Sequence, residues 1–336
     1  MKERLQTGAS GLDELLDGGL PDGGLVEIFG EKAVGKSILC YQIALSAATS
    51  TNVLIVDTEL GYEKSLIPYW TEPLSRRFGR KVSTQRVTVQ KKFDDSKKRK
   101  ANEALLKEAF RNLLSQYQIQ VSDIQLSQMV GIAAPSFGLV AEKNDSSIYL
   151  LEEPGLVDLM HLHGIDGETY VTEGGRVEFR LRMGGVKEPE FSPIGNFVRE
   201  NGIGLVIYDS ISAPAKATFI GTQDLPARSS SFAFLLGQAQ KLSSRFSIPI
   251  LAVNHISVHP HNPAWTHPYG GLIVGYDFKY VFHLEKEPAT SKLSDYPISN
   301  RDRMQQHNRL IWAYRHPRIE EYGLAALLLL DDTGFH

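Results

Sequence analysis

Cysteine is almost absent from this chain of 336 residues, which contains only Cys40. A single cysteine excludes an intramolecular disulfide and a zinc site built from several cysteines. The apolar surroundings of Cys40, SILCYQIAL, indicate a small buried residue. This scarcity favours a reducing compartment. Catalytic or ligand-binding groups must therefore be sought among side chains other than cysteine.

Long hydrophobic runs and an excess of positive charge are also absent. No apolar run approaches the roughly 20 residues needed to span a bilayer, and the opening MKERLQTGAS has no signal-peptide core. The formal net charge is −3, so a nucleic-acid partner would require a local basic patch. The sequence therefore predicts a cytoplasmic protein that does not enter a membrane.

Four short apolar segments are typical of strands buried on both faces. They are LVEIFG (25–30), NVLIVD (52–57), GLVIYD (204–209) and IPILAVN (248–254). Amphipathic stretches separate them, which predicts an α/β fold with a mostly parallel sheet and helices on both faces. Near the end, YVFHLEK, NRLIWAYRH and GLAALLLLDD predict antiparallel strands beyond the parallel core.

The region 70–190 interrupts this alternation. It contains a basic stretch that ends in KKRK (97–100), a polar helical pattern at 101–118, and the segment ETYVTEGGRVEFRLR. The Glu-Gly-Gly turn between alternating residues predicts a hairpin. We interpret 70–190 as an α+β insertion with its own small core, which divides the sheet domain into 1–69 and 191–336.

Residues 30–37, GEKAVGKS, match the phosphate-loop pattern G-x-x-x-x-G-K-[ST]. Backbone N–H groups of such a loop form a nest for phosphate oxygens, Lys36 reaches the β- and γ-phosphates, and the Ser37 hydroxyl binds Mg²⁺. The alternative is a glycine turn with a surface lysine. We predict ATP and Mg²⁺ as ligands and the following nucleotide-binding residues: Gly30, Glu31, Lys32, Ala33, Val34, Gly35, Lys36, Ser37 and Ile38.

Acidic residues end two of the other predicted strands. Asp209 follows GLVIY and is predicted as the second Mg²⁺ ligand, because ligands of such sheets collect at the carboxyl ends of the strands. Asp57 and Glu59 follow LIV, where a carboxylate could orient or deprotonate the attacking water. For each of these acids the alternative is a residue that caps a turn or a helix.

Taken together, these segments resemble the RecA/RadA recombinase ATPases. LQTGASGLDELLDGGLPDGGLVEIFGEKAVGKS is similar to the opening of that core, and VLIVDTE resembles its catalytic-glutamate strand. The likeness covers residues 1–65 and 195–336, and its second part includes LVIYDSIS (205–212). It implies a RecA-like P-loop fold and ATP hydrolysis in which Glu59 activates water.

The resemblance also implies roles for three residues of the second half. His255, which stands where the family usually has glutamine, would donate a hydrogen bond to the γ-phosphate. Arg315 would reach the γ-phosphate of a neighbouring subunit, or it is a surface arginine on a strand. Pro317 would cap the nucleotide of a neighbour.

Single-stranded DNA is the partner that the resemblance implies. Lys216 and Arg228, the cations of the first DNA loop, would neutralise phosphates, and Trp265 in the second loop would stack on a base. Trp265 is alternatively a packed loop anchor.

Departures from the family pattern, including His255 and the few loop cations, favour a divergent archaeal RadA paralogue of the RadB-like kind. This implies an accessory protein of recombination and repair, and it allows an oligomer and a recombinase or paralogue partner. Two alternatives stay open: a KaiC-like signalling ATPase or autokinase without DNA binding, and a low-turnover, nucleotide-dependent scaffold.

Overall fold

The computed structural model describes residues 4–79, 83–92, 136–141, 147–152, 154–259, 262–270, 277–286 and 308–336. These residues form a twelve-stranded mixed sheet with helices on both faces, and a separate two-stranded sheet. The predicted helix at 101–118 and the cations Lys97 to Lys100 lie outside the described residues. Among the helices within those ranges, none has both the length and the apolar character needed to cross a bilayer.

The elements of the described ranges alternate between strand and helix through most of the chain. The strands are β1 (Leu25–Gly30), β2 (Asn52–Asp57), β3 (Thr84–Lys92), β4 (Ser136–Ala141), β5 (Ile148–Glu152), β6 (Ile165–Val171), β7 (Val177–Val186), β8 (Ile203–Asp209), β9 (Ile250–His259), β10 (Asn262–Pro268), β11 (Tyr280–Lys286), β12 (Asn308–Arg315), β13 (Ala325–Asp331) and β14 (Gly334–Phe335). The α-helices are α1 (Ser10–Leu15), α2 (Lys36–Ala47), α3 (Ile67–Arg77), α4 (Leu156–Leu162), α5 (Pro193–Glu200), α6 (Ala213–Thr218) and α7 (Leu225–Phe246).

The main sheet has the strand order β14-β13-β12-β11-β1-β9-β8-β2-β5-β3-β4, and β10 pairs with β9. Strands β1, β9, β8 and β2 are parallel. In this register Asp57 lies opposite Asp209, and Gly30 lies opposite His255. The predicted mostly parallel α/β sheet is confirmed, and the carboxyl ends of these strands meet at one edge.

Both faces of the sheet are buried, as the apolar runs predicted. Alternate residues of β1 belong to different core clusters: Val26 and Ile28 pack on the face covered by α2, whereas Leu25 and Phe29 pack on the face covered by α7. Burial of an aliphatic or aromatic side chain of this size stabilises a fold by about 1.5–3 kcal/mol. The phosphate-loop strand is therefore fixed from both sides.

The C-terminal strands required one correction. Strands β12 and β13 are antiparallel to their neighbours, as predicted. Strand β11 instead runs parallel to β1. The pattern YVFHLEK identifies a buried strand but carries no information about direction, which depends on the side from which the chain enters the sheet.

The region 70–190 is joined to the main sheet more closely than the sequence suggested. Strand β5 pairs in parallel with β2, and β3 pairs in parallel with β5. Val87, Tyr149 and Leu151 share a core cluster with α4 and α7. The expected separate small core is therefore wrong for the described residues, because β5 extends the main sheet directly. The predicted hairpin is confirmed as β6 and β7, and the domain boundaries stay a prediction.

Candidate nucleotide-binding and catalytic site

The phosphate loop lies between β1 and α2 and needs glycine at two positions for different reasons. A Cβ atom on Gly30 would lie 2.1 Å from the carbonyl oxygen of Leu284 on the neighbouring strand. Gly35, the N-cap of α2, has φ 108°, a conformation that side chains disfavour. These glycines bring the loop against the sheet and direct the N-terminus of α2 toward the cleft, where its dipole favours an anion.

Lys36 is folded back onto its own loop. Its Nζ donates to the carbonyl oxygens of Gly30 at 2.9 Å and Glu31 at 2.7 Å. Burial lowers the pKa of Lys36, while the nearby carboxylates of Asp209 and Glu59 act in the opposite direction. A phosphate group would offer the amine charged acceptors in place of these two carbonyls.

Asp209 and Ser37 supply the oxygen atoms that suit Mg²⁺. The Asp209 side chain is buried close to the Ser37 hydroxyl, and its Oδ2 has no hydrogen-bond partner among the described residues. Burial raises the pKa of Asp209 to about 6, although the nearby Ser37 hydroxyl opposes the change. A buried, unpartnered carboxylate oxygen beside a hydroxyl fits a hard cation with oxygen ligands.

Asp209→Asn is expected to raise the Mg²⁺ concentration for half-maximal ATP binding about tenfold or more, because the carboxylate predicted to bind Mg²⁺ is lost. The matched control is Asp57→Asn at the end of the adjacent strand. The Asp57 carboxylate accepts from the backbone N–H groups of Glu59 and Tyr62, so its loss should lower the free energy of unfolding by about 1–3 kcal/mol. Mg²⁺ titrations monitored with a fluorescent ATP analogue test the first expectation, and urea denaturation tests the second. Equal Mg²⁺ dependence in the two variants would contradict the assignment.

Of the two acids Asp57 and Glu59, Glu59 is the one that lines the cleft. Its Oε1 lies 2.7 Å from Nε2 of His255 and accepts from Ser210 Oγ at 2.9 Å. The His255 hydrogen bond, with help from Ser210, lowers the pKa of Glu59 to about 2 despite partial burial. Asp57 is occupied by local backbone donors. Asp57 and Glu59 therefore lie in different environments, a difference that could not be predicted from the segment DTE alone.

These side chains surround one cleft with a volume of about 520 Å³. The lining residues are Lys32, Ala33, Gly35, Lys36, Ser37, Ile38, Glu59, Asp209, Val253, His255, Arg309 and Leu330. Arg309 was missed in the sequence. Its Nε donates to the carbonyl oxygen of Val34 at 2.9 Å, which joins β12 to the phosphate loop. Ser210 was missed too, although it directly follows Asp209.

The remaining predicted residues lie outside this cleft lining. Arg315 and Pro317 are exposed at the end of β12 and in the turn that follows. Lys216 on α6 and Arg228 in the first turn of α7 both contact the ring of Tyr269. Trp265 lies on β10. The roles predicted for these residues in a neighbouring subunit or on DNA stay predictions.

Comparison with known proteins finds similarity to an ATPase family and to proteins of DNA recombination and repair. A family model described as the KaiC ATPase matches residues 5–130. The DNA repair and recombination protein RadB of Thermococcus gammatolerans is 45% identical over 58 residues, which are 17% of this chain and 25% of that protein. The DNA repair protein RAD51 of Saccharomyces cerevisiae is 34% identical over 82 residues, 22% of this chain and 20% of RAD51. Over these segments the chain is similar to RadB and RAD51, proteins of DNA repair and recombination.

The superfamily likeness is local in sequence. The RadB of Methanoculleus marisnigri, for example, is 41% identical over 58 residues, and the chain spans only 26% of its length. The crystal structure of the RadB recombinase aligns with 99% of this chain and 98% of its own, with a TM-score of 0.49 and 17% sequence identity.

Proposed function

We propose that the chain is a cytoplasmic, ATP-hydrolysing accessory protein of DNA recombination and repair that binds single-stranded DNA. One observation carries the proposal: Lys36, Asp209 and Glu59 come from three distant parts of the chain and line a single cleft. A phosphate-binding amine, a metal-binding carboxylate and a carboxylate for water are the groups that phosphoryl transfer to water requires.

In the proposed reaction, the loop from Gly30 to Ile38 holds the triphosphate, and Lys36 exchanges its carbonyl partners for phosphate oxygens. Ser37 and Asp209 would hold Mg²⁺, which neutralises charge on the β- and γ-phosphates when bound. Glu59 orients the attacking water and accepts its proton. His255 donates to the γ-phosphate. When His255 turns to the phosphate, Glu59 loses one of the hydrogen bonds that lower its pKa, so its basicity rises.

The DNA part of the proposal is supported by the matched relatives, which are named as recombination and repair proteins. It is also supported by the cations Lys216 and Arg228, which lie beyond the carboxyl end of β8 and converge on one aromatic ring. Arg315 and Pro317 are proposed to serve the site of a neighbouring copy. The segment 70–190 is proposed as an insertion between the core parts 1–69 and 191–336.

A second candidate is a signalling ATPase or autokinase that does not bind DNA. The match of residues 5–130 to the KaiC family model favours it. This function would use the same cleft but would transfer the γ-phosphate to a hydroxyl group of the protein or would hydrolyse ATP independently of DNA. A scaffold that binds ATP without turnover is a third reading of the same residues.

The test is phosphate release from ATP, measured with and without an excess of single-stranded oligonucleotide, with Lys36→Ala as the background. We expect Mg²⁺-dependent turnover that the oligonucleotide increases at least about twofold and that Lys36→Ala abolishes. In parallel, incubation with γ-labelled ATP should leave the protein unlabelled.

Other results would contradict the proposal in recognisable ways. Turnover that is indifferent to DNA, or label on the protein, would favour the signalling function. Binding of ATP without phosphate release would favour the scaffold. Absence of ATP binding at millimolar Mg²⁺ would overturn all three readings.

A further inference from the structure

The ring of Tyr269 contacts both of the cations that are proposed to bind DNA, Lys216 and Arg228. Lys216 Nζ lies 4.4 Å from the centroid of the Tyr269 ring, and the guanidinium carbon of Arg228 lies 4.8 Å from it. Arg228 also donates a hydrogen bond of 2.7 Å to the Tyr269 hydroxyl. Two positive groups that come from different helices, α6 and α7, are therefore held against one aromatic side chain.

The backbone of Tyr269 is hydrogen-bonded to Asn254 and His255, and the His255 ring in turn contacts Glu59. Its N–H donates to the carbonyl oxygen of His255 at 2.9 Å, and its carbonyl oxygen accepts from Asn254 Nδ2 at 2.8 Å. The Asn254 Oδ1 accepts from the backbone N–H of His255 at 2.8 Å. Because the His255 ring reaches Glu59, a short series of hydrogen bonds connects Tyr269 to the cleft.

Electrostatic interactions also connect the cations at the Tyr269 ring with the cleft. Burial lowers the pKa of Lys216, and the carboxylate of Glu59 acts in the opposite direction. Lys216 in turn contributes to the lowered pKa of Lys36, after the larger effect of burial. A change in the position of Lys216 would therefore change the field at both Glu59 and Lys36.

We propose that Tyr269 is a positioning residue that holds Lys216 and Arg228 against its ring and transmits their capture by DNA phosphates to Glu59 through Asn254 and His255. The inference rests on the proposed function, since it requires single-stranded DNA as the ligand. Phosphates compete with the ring for the cations, because a cation–π contact between these partly buried side chains is weaker than several phosphate contacts. When the two cations leave the ring, the Tyr269 side chain can move and its backbone hydrogen bonds to Asn254 and His255 shift. This shift reorients His255 relative to Glu59.

The experiment compares Tyr269→Leu and Tyr269→Phe with the wild-type chain. Binding of a fluorescein-labelled oligothymidylate is measured by anisotropy, and ATP turnover is measured with and without the same oligonucleotide. Tyr269→Leu removes both ring contacts and is expected to bind the oligonucleotide about five- to thirtyfold more tightly, while its turnover no longer responds to DNA. Tyr269→Phe keeps the ring and loses the hydroxyl, so we expect DNA stimulation to persist with an affinity between those of the other two proteins.

Tyr170→Leu is the matched control. The Tyr170 ring lies 4.8 Å from the guanidinium carbon of Arg180, and its hydroxyl donates to Glu178 at 2.5 Å, but it is on the hairpin and not in the nucleotide site. This variant should match the wild-type chain in both assays. If the same change at both tyrosines has the same effect, the inference is wrong.

The inference and the proposed function fail differently. If the wild-type chain binds DNA and responds to it, but Tyr269→Leu has unchanged affinity and stimulation, the inference alone is overturned. The same holds if Tyr269→Leu binds DNA more weakly, because Tyr269 would then be only a structural anchor. If the wild-type chain does not bind the oligonucleotide, the proposed DNA function fails and the inference fails with it.

Discussion

Replacing Glu59 by glutamine is expected to lower ATP turnover about 100-fold or more, since proton transfer by a positioned base contributes on the order of 10²–10⁴ in rate. Glutamine has nearly the same shape and can still accept a hydrogen bond from Ser210, but it cannot take a proton from water. Nucleotide affinity should stay within about threefold of the wild-type value, because in the proposed reaction the triphosphate is held by the loop from Gly30 to Ile38.

The measurement pairs single-turnover phosphate release with equilibrium binding of a fluorescent ATP analogue. Glu72→Gln is the control, because Glu72 is an exposed acid on α3 that pairs with Arg76, and its loss should leave both quantities unchanged. Turnover in Glu59→Gln within about fivefold of the wild-type rate would remove Glu59 from the chemistry. A parallel loss of binding and turnover would instead show that the substitution disturbs the cleft.

The environment of Glu59 explains why a slow basal rate is expected. With Ser210 and His255 both on Oε1, the carboxylate is well solvated by the protein, and its pKa of about 2 makes it a weak base. The position that holds glutamine in the resembling family holds a histidine here. In the proposed reaction, catalysis therefore depends on moving His255 away from Glu59, so the rate depends on the contacts that control the orientation of the His255 ring.

Much of the fold and of the cleft could be predicted because the relevant signals are local. The phosphate loop is a contiguous pattern, and strands β1, β2 and β8 appear as short apolar runs that end in turn or acidic residues. Parallel pairing then brings Asp57 beside Asp209, which follows from the rule that such strands share one carboxyl edge.

The rest depends on contacts between residues that are far apart in the chain. Tyr269 follows a strand in a segment with no obvious chemistry, and only the tertiary structure brings Lys216 and Arg228 to its ring. Arg309 reaches the phosphate loop from a strand that the sequence describes only as apolar and antiparallel. The direction of β11 and the sheet pairing of β5 were missed for the same reason.

The burial and hydrogen bonding of Glu27 were the hardest features to predict. In the sequence, Glu27 is simply a polar residue inside the apolar run LVEIFG of a core strand. It is 0% exposed. Its Oε1 accepts from Asn254 Nδ2 at 2.6 Å, and its Oε2 has no partner among the described residues. Burial raises the pKa of Glu27 to about 8, while the Asn254 hydrogen bond and the charge of Arg315 oppose the rise.

Glu27→Gln is therefore expected to stabilise the protein at high pH and to leave its stability nearly unchanged at low pH. The ordinary pKa is 4.5 and the folded-state pKa is about 8, so between these values the folded state binds more protons than the unfolded state. The free energy of unfolding of the wild-type chain must then fall as pH rises through this window. Glutamine cannot ionise and keeps the acceptor for Asn254, so the variant avoids the loss. Relative to the wild-type chain, it should gain about 2–4 kcal/mol between pH 5 and pH 9.

Urea denaturation at pH 5, 7 and 9 measures this difference, and the comparison of two proteins cancels the titration of all other groups. Glu14→Gln is the control, because Glu14 is an exposed acid on α1 and its substitution should give a curve parallel to that of the wild-type chain. Parallel curves for Glu27→Gln would mean that Glu27 is ionised in the folded protein near neutral pH. A charged Glu27 would require a closer cation than the structure provides, and Arg315, whose charge acts on Glu27 from the end of β12, would then belong to the fold of its own subunit and not to the nucleotide of a neighbour.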